Sequence, residues 1–345
     1  MTPRWRMQHR RQVRPTPGCG ESALRCWPPP SGYSRVDVLP SLQLSPRLLC
    51  VGHVALDLAF GVEAFPARPT KTPAHTFHQG VGGMSANSAV AIARLGAQVR
   101  FAGPVGDDAS VDVFRAHFRR EGVDALGLTP TPGQTSSVST IVIDANGERM
   151  IFNHRGSALT SPPPFNPAWL ADTQVLLTDP RCVAWAQAAL SQARQGGVIS
   201  LLDGDVAPPE DVGRLLPLAD WVAFSEPGLA VHQPGDPAQG LTRLWTRVGE
   251  GPQVLLVTLG ERGVLWQRRG EPVHHVPAFA VEGVCDTLGA GDTFHGALGL
   301  ALAQRWDDVT ALRFASAAAA LKCQRSPGIL GAPRLHEVLA LLSSS

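Results

Sequence analysis

The sequence has no run of the roughly 18 consecutive apolar residues that a membrane helix requires, so a helical membrane protein is not expected. It has no Cys-x-x-Cys pair. Its six cysteines stand apart at 19, 26, 50, 182, 285 and 323, with no histidine at zinc-binding spacing, which argues against a structural zinc site. A chain of 345 residues, 44 % of them apolar, can build a core without disulfides, so free thiols in a reducing cytoplasm are the expectation. Excess charge of one sign is missing too. A formal net charge of +1 gives no support to a nucleic-acid partner. There is no Gly-x-x-x-x-Gly-Lys-Ser/Thr, which excludes a P-loop NTPase. There is no Gly-x-Gly-x-x-Gly after the first buried strand, which argues against a dinucleotide oxidoreductase.

Residues 1–46 differ from the rest. Arg4, Arg6, Arg10, Arg11 and Arg14 come with no acid among them, and Pro15, Pro17, Gly18, Gly20 and Pro28-Pro29-Pro30 follow. No apolar core of a secretory signal is found there. This basic, Pro-rich composition suits a disordered extension, with a transit peptide as the alternative reading. Residues 47–345 are expected to form the folded domain.

Within that domain, short apolar runs read as buried strands at 47–52, 99–102, 175–178, 198–202, 221–224 and 254–258. Helical patterns lie between them, most plainly at 86–95, 111–121 and 184–195. Alternation of this kind predicts an α/β fold, with a mainly parallel sheet covered on both faces. The region 135–154 breaks the alternation. It reads as two short strands around Asp144-Ala145-Asn146-Gly147, a hairpin signal, and so as a small added sheet or lid to which 62–79 contributes. In an open parallel sheet, ligands sit beyond the carboxyl ends of the strands.

The chemistry is concentrated in Asp286-Thr287-Leu288-Gly289-Ala290-Gly291-Asp292-Thr293, which leads into an apolar helix. Glycines allow a tight turn and close approach of backbone to a ligand. Amides at a helix start, aided by the helix dipole, make an anion site suited to a phosphoryl group in transit. Asp292 in the first turn could accept the proton of an attacking hydroxyl. By itself the segment reads equally well as a capped helix after a Gly-rich turn. A second small-residue segment, Gly80-Val81-Gly82-Gly83-Met84-Ser85-Ala86-Asn87, also opens a helix. Asn87 offers both a donor and an acceptor for sugar hydroxyls. Asp57, past the first strand, can accept two hydroxyls of one sugar, or be only a loop acid. His53, His75, His78 and His154 lack metal spacing and read as structural or surface residues.

Gly82-Gly83 with Asn87, followed by Gly103-Pro104-Val105-Gly106-Asp107-Asp108, resembles the first signature of the PfkB (ribokinase-like) carbohydrate kinases. Asp286 to Asp292 resembles the second, about 200 residues on. The resemblance implies a three-layer α/β/α Rossmann-like sandwich with a small β-sheet lid. It also implies transfer of the γ-phosphate of Mg-ATP to a sugar hydroxyl. It makes Asp292 the general base and Gly289, Ala290 and Gly291 the anion hole. Asp57, Gly82, Gly83 and Asn87 fall on sugar-contacting positions. Thr258, Gly260 and Gly263 match the nucleotide-side turn, with Thr287 beside them. A potassium ion near Asp286 and a homodimer formed through the lid are further implications.

One departure stands out. Where the family has Asn-x-x-Glu, this chain has Ser225-Glu226-Pro227-Gly228, and Glu226 is left to take over the magnesium role. That segment, with Leu202-Asp203-Gly204-Asp205 and Ala319-Ala320-Leu321-Lys322-Cys323, resembles the branch that includes sulfofructose kinase. The acceptor is then a ketose such as fructose or 6-deoxy-6-sulfofructose, and Lys71, Arg149 and Arg155 are candidates to hold a sulfonate. The alternatives are a nucleoside or other small-molecule kinase of the same fold, or a catalytically silent sugar-binding regulator.

Overall fold

The structure, a computed structural model, describes residues 46–146 and 148–344. The basic, Pro-rich extension expected at 1–46 therefore lies outside the described residues, apart from Pro46.

In chain order the first half comprises β1 (Arg47–Val51), β2 (Ala55–Gly61), β3 (Thr76–Gly82), α1 (Met84–Arg94), β4 (Gln98–Gly106), α2 (Ser110–Glu121), β5 (Asp124–Thr131), β6 (Ser137–Ile143), β7 (Arg149–His154) and α3 (Ser157–Thr160). The second half comprises β8 (Val175–Thr178), α4 (Val183–Gly196), β9 (Ile199–Gly204), α5 (Pro209–Leu215), β10 (Trp221–Ser225), α6 (Glu226–His232), α7 (Pro237–Leu244), β11 (Val254–Thr258), β12 (Val264–Arg268) and β13 (His274–Val276). Three helices close the chain: α8 (Ala290–Ala303), α9 (Asp308–Cys323) and α10 (Leu335–Ser343).

Nine strands form one sheet in the order β13-β12-β11-β10-β9-β8-β1-β4-β5. Every pair from β11 to β5 is parallel, while β12 and β13 add an antiparallel edge. The strand runs are apolar throughout because both faces are covered. In β1, Leu48 and Cys50 point into one core and Leu49 and Val51 into the other. The first core is completed by α1, α2, α8, α9 and α10, and the second by α4, α5 and α7. The antiparallel β12–β13 edge and the edge strand β5 are not expected from the sequence reading. Their runs are short or mixed with polar residues, as edge strands permit.

The chain leaves β1 toward β4 and β5, then returns to the other side of β1 through β8. Such a reversal leaves a crevice at the carboxyl ends of the strands. The turns after β1, β8, β9, β10 and β11 converge there.

A second sheet has the order β3-β2-β6-β7, with β2–β3 and β6–β7 antiparallel and β2–β6 parallel. The expected hairpin is β6–β7, whose tip is closed by Asp144 accepting amides of Asn146 and Glu148, each at 2.9 Å. The other two strands lie at Ala55–Gly61 and Thr76–Gly82, so most of 62–79 is the connection between them. Asp57 is therefore a strand residue, paired with Gly80 on one side and Ser139 on the other, and not a loop acid.

Candidate active site

The site is built on the facing starts of two helices. α1 begins after Gly83, whose φ of 106° suits only glycine; a Cβ there would lie 2.5 Å from the His53 carbonyl oxygen. α8 begins after Gly289, at φ 79°, and its first intrahelical bond runs from Thr293 N to Gly289 O at 2.9 Å. The amides of Gly291 and Asp292 precede that bond, and that of Ala290 donates to the Thr287 carbonyl at 3.2 Å. The two helices touch closely because Gly296 has no side chain: a Cβ there would lie 2.7 Å from the Ser88 carbonyl oxygen.

Across this contact, Asn87 Nδ2 donates to Asp292 Oδ2 at 2.7 Å, and Ser88 Oγ donates to the Asp292 backbone carbonyl at 3.1 Å. Burial pushes the Asp292 carboxyl up to about 7, and the neighbouring Asp203 carboxylate pushes the same way; the Asn87 hydrogen bond partly opposes both. Asp203, fully buried and next to last in β9, lies 3.0 Å from Nδ1 of His295, which follows Asp292 by about one turn of α8. Asp203 raises the His295 pKa against the effect of burial. A carboxylate titrating near neutrality, next to a helix-start anion site, can take a proton from an alcohol.

Toward the second sheet lies Asp57. Burial raises its carboxyl to about 6, and a hydrogen bond with Ser139 opposes this. Any Cβ on Gly82 would run into the Asp57 carboxylate, so Gly82 makes room for the acid beside it. His53 is buried and structural, with burial holding its imidazole at about 4, hence neutral. Its Nε2 lies 2.8 Å from Ser137 Oγ, and that hydroxyl gives its own proton to the His154 carbonyl at 3.1 Å. His53 Nε2 must therefore carry the hydrogen.

Asp179, just past β8, ties this end together. It accepts the amides of His53 at 2.8 Å, Ser85 at 3.1 Å and Arg181 at 2.9 Å, and the Ser85 hydroxyl. The sequence signals no role for Asp179 or His295, and Asp203 enters it only within the Leu202–Asp205 segment, although both acids lie at or just beyond the ends of buried strands.

On the other side of α8 a cavity of about 760 Å³ opens, lined by Thr258, Gly260, Gly263, Thr287, Gly291 and Phe294 among others. Thr258, Gly260, Gly263 and Thr287, predicted as a nucleotide-side group, thus come together, and Ala290 and Gly291, the two residues before Asp292 in the chain, line the same cavity. Gly260 and Gly263 have φ of 60° and 85°, and a Cβ on Gly263 would strike the Val276 carbonyl. Glu226, at the start of α6, pairs with Arg262 at 2.5 Å on the exposed side. Ser225 caps α6 by accepting from Gly228 N at 3.0 Å and donates to Asp205 Oδ1 at 2.7 Å. A Cβ at 228 would collide with the Gly204 carbonyl oxygen, so this backbone has no room for a glutamate there.

The three cationic candidates are dispersed. Lys71 is exposed in the connection between β2 and β3. Arg149 starts β7 and donates to Asp286 Oδ1 at 3.0 Å. Arg155 donates to the Arg181 carbonyl at 2.5 Å, and among the described residues its buried Nε has no partner. Arg155 and Arg181 are both close enough to His53 to lower its pKa.

A family model described as pfkB family carbohydrate kinase matches residues 45–334. The chain belongs to the pfkB family of carbohydrate kinases. It is an enzyme, a phosphotransferase with an alcohol acceptor. This carbohydrate kinase is 35 % identical to the fructokinase of Klebsiella pneumoniae over 250 residues, which is 67 % of this chain and 80 % of that relative. It is similar to a crystal structure from Agrobacterium tumefaciens provisionally named ribokinase, with a TM-score of 0.81 and 34 % identity over 87 % of this chain and 98 % of the other. It also matches a fructokinase with bound ATP from Xylella fastidiosa, with a TM-score of 0.70 and 27 % identity, covering 86 % and 98 % of the two chains. The ribokinase-like α/β fold expected from the two signatures is therefore the fold of this chain. Among the described residues no helix is long and apolar enough to cross a membrane.

Proposed function

We propose that this kinase transfers the γ-phosphoryl group of Mg-ATP to a hydroxyl of a ketose such as fructose or 6-deoxy-6-sulfofructose, with Asp292 as general base. The observation that carries this reading is the position of Asp292. Its carboxylate accepts from Asn87 at 2.7 Å in the first turn of α8, and the residue before it, Gly291, lines the 760 Å³ cavity. The relative from Xylella fastidiosa holds ATP, which supports ATP as donor for this chain.

In this reading the sugar lies between Asp57, Asn87 and the backbone at Gly82 and Gly83. Asp292 accepts the proton of the attacking hydroxyl as the oxygen reaches phosphorus. The amides at Gly289 and Gly291 stabilise the charge on the equatorial oxygens, while Ala290, between them, holds the turn by donating its own amide to the Thr287 carbonyl at 3.2 Å. The nucleotide lies against Thr258, Gly260, Gly263 and Thr287. Magnesium, when bound, neutralises charge on the β- and γ-phosphates. It favours oxygen ligands and keeps several waters, and the exposed Glu226 carboxylate suits water-mediated contact. Glu226 pairs with Arg262, which stands in the chain between the cavity-lining Glu261 and Gly263.

Arg155 supports an acceptor with an anionic end. It has a buried unused donor and stands with Arg181 near His53, at the sugar end of the crevice. Guanidinium groups match the oxygens of a sulfonate or phosphate. The four-stranded sheet is read as the lid of the 47–345 domain. It exposes Phe77, Met150, Ile151 and Phe152, and covering these by a second copy supports a homodimer.

The test is ATP consumption by the purified protein against fructose, fructose 6-phosphate, 6-deoxy-6-sulfofructose, ribose, 2-keto-3-deoxygluconate and adenosine. A single preferred ketose is expected. Preference for adenosine, or silence with every acceptor, contradicts the proposal.

A further inference from the structure

Lys322 lies near the end of α9 with its side chain fully buried. A lysine rarely goes inside without partners for all its charge. Here the ammonium donates to the Asp286 carbonyl at 2.7 Å and the Arg325 carbonyl at 3.0 Å, and stands 3.5 Å from Asp286 Oδ2. Burial lowers its pKa from the ordinary lysine value, and the Asp286 carboxylate opposes that shift.

Asp286 is in turn the hub of the strap that leads into α8. Its Oδ1 accepts from Leu288 N at 2.9 Å and from Arg149 at 3.0 Å, and its Oδ2 accepts from Gly328 N at 2.7 Å. Its own amide and that of Cys285 donate to the Cys323 carbonyl at 3.2 and 2.9 Å. One buried cation thus joins three segments: the strap ahead of the anion-hole turn, the end of α9, and the loop at 325–328.

Two backbone carbonyls and a carboxylate converging on a single positive charge make an oxygen cage of the kind a dehydrated alkali cation takes. The resemblance to the carbohydrate kinases implies a potassium ion beside Asp286. The residues present do not fit one, because the cage oxygens already hold an ammonium and a second cation would meet like charge. We infer that Lys322 is the resident cation of this site, a positioning residue that fixes the strap 286–288 and through it the amides of Gly289 to Gly291, so that this kinase does not draw on potassium. The inference rests on the kinase reading for its effect on turnover, while its effect on stability does not depend on that reading.

The experiment compares turnover with the preferred sugar, and thermal unfolding without sugar or nucleotide, in potassium, sodium and tetramethylammonium chloride at equal ionic strength. For the wild-type chain, turnover within about twofold across the three salts and an unfolding midpoint equal in potassium and sodium are expected. Lys322→Ala should lose turnover on the order of 10²-fold, since a small displacement of the anion hole is enough for that. Potassium or ammonium should restore part of both its turnover and its unfolding midpoint, whereas tetramethylammonium, too large for the cage, should not. Wild-type turnover that rises severalfold with potassium over sodium overturns the inference, as does a wild-type midpoint raised specifically by potassium. A Lys322→Ala protein that folds and keeps full turnover without added cation overturns it as well. If Lys322→Ala does not fold, the wild-type salt comparison decides alone. If no acceptor supports ATP consumption, the kinase reading fails, and the unfolding comparison still decides whether Lys322 or potassium fills the cage.

Discussion

The side-chain amide of Asn87 donates to the Asp292 carboxylate across 2.7 Å, joining the starts of two helices that are 205 residues apart in sequence. This hydrogen bond favours the ionised carboxylate, against burial and against the Asp203 charge. Asn87→Ala should therefore raise the Asp292 pKa further. A hydrogen bond to a charged group is worth about 1.5–3 kcal/mol, so the acid limb of kcat/KM should move up by roughly one pH unit or more. A pH–rate profile of the variant checks this. An unmoved limb would mean that the limb does not report Asp292.

The wild-type profile follows from the same pKa. A base must be unprotonated to act, so kcat/KM should fall as pH drops through about 7, where Asp292 takes up its proton. Measurement between pH 5 and 9 (roughly the span a group of this kind controls) should show one acid limb with a midpoint near 7.

Stability should run the other way. An acid whose native pKa is raised binds its proton more tightly folded than unfolded. Its destabilising effect is absent below about pH 4, the unfolded value, grows from there to about 7, and is complete above that. Asp292→Asn should thus be more stable than wild type at pH 8 and no more stable at pH 4. Because Asp292 is only partly buried by exposure, the gain should be modest, about 1–2 kcal/mol in thermal or denaturant unfolding.

The departure at 228 has a steric cause that a substitution can test. Gly228→Glu puts a Cβ against the Gly204 carbonyl oxygen, which is backbone and cannot swing away. Restoring the family residue should cost about 3 kcal/mol or more in thermal unfolding and should bring no gain in turnover. A stable and more active variant would mean that the turn after β9 gives way easily.

Much of this site is written in local sequence. The turn at Gly289–Gly291 and the start at Gly82–Gly83 are legible because glycines there answer to backbone needs. The apolar runs of β1, β8, β9, β10 and β11 show a sheet buried on both faces. What was not legible depends on distant partners. Asp179 matters through His53 and Ser85, which approach it only when β1, α1 and β8 are assembled. His295 looks like an ordinary helix residue until Asp203 arrives from β9. Lys322 enters the sequence reading only within the Ala319–Cys323 segment, and only the folded strap shows that its ammonium is enclosed. Asp57 reads in sequence either as an acceptor of sugar hydroxyls or as a loop acid, because its strand is held by two neighbours distant from it along the chain.

The central claim is that Asp292 acts on the acceptor hydroxyl, and turnover of Asp292→Asn with the preferred sugar tests it most directly. The account predicts kcat lower by a factor on the order of 10² to 10⁴, the range for loss of a general base, with sugar binding largely retained. Turnover within about threefold of wild type, well short of that range, would make Asp292 a helix-start residue only and would contradict the mechanism.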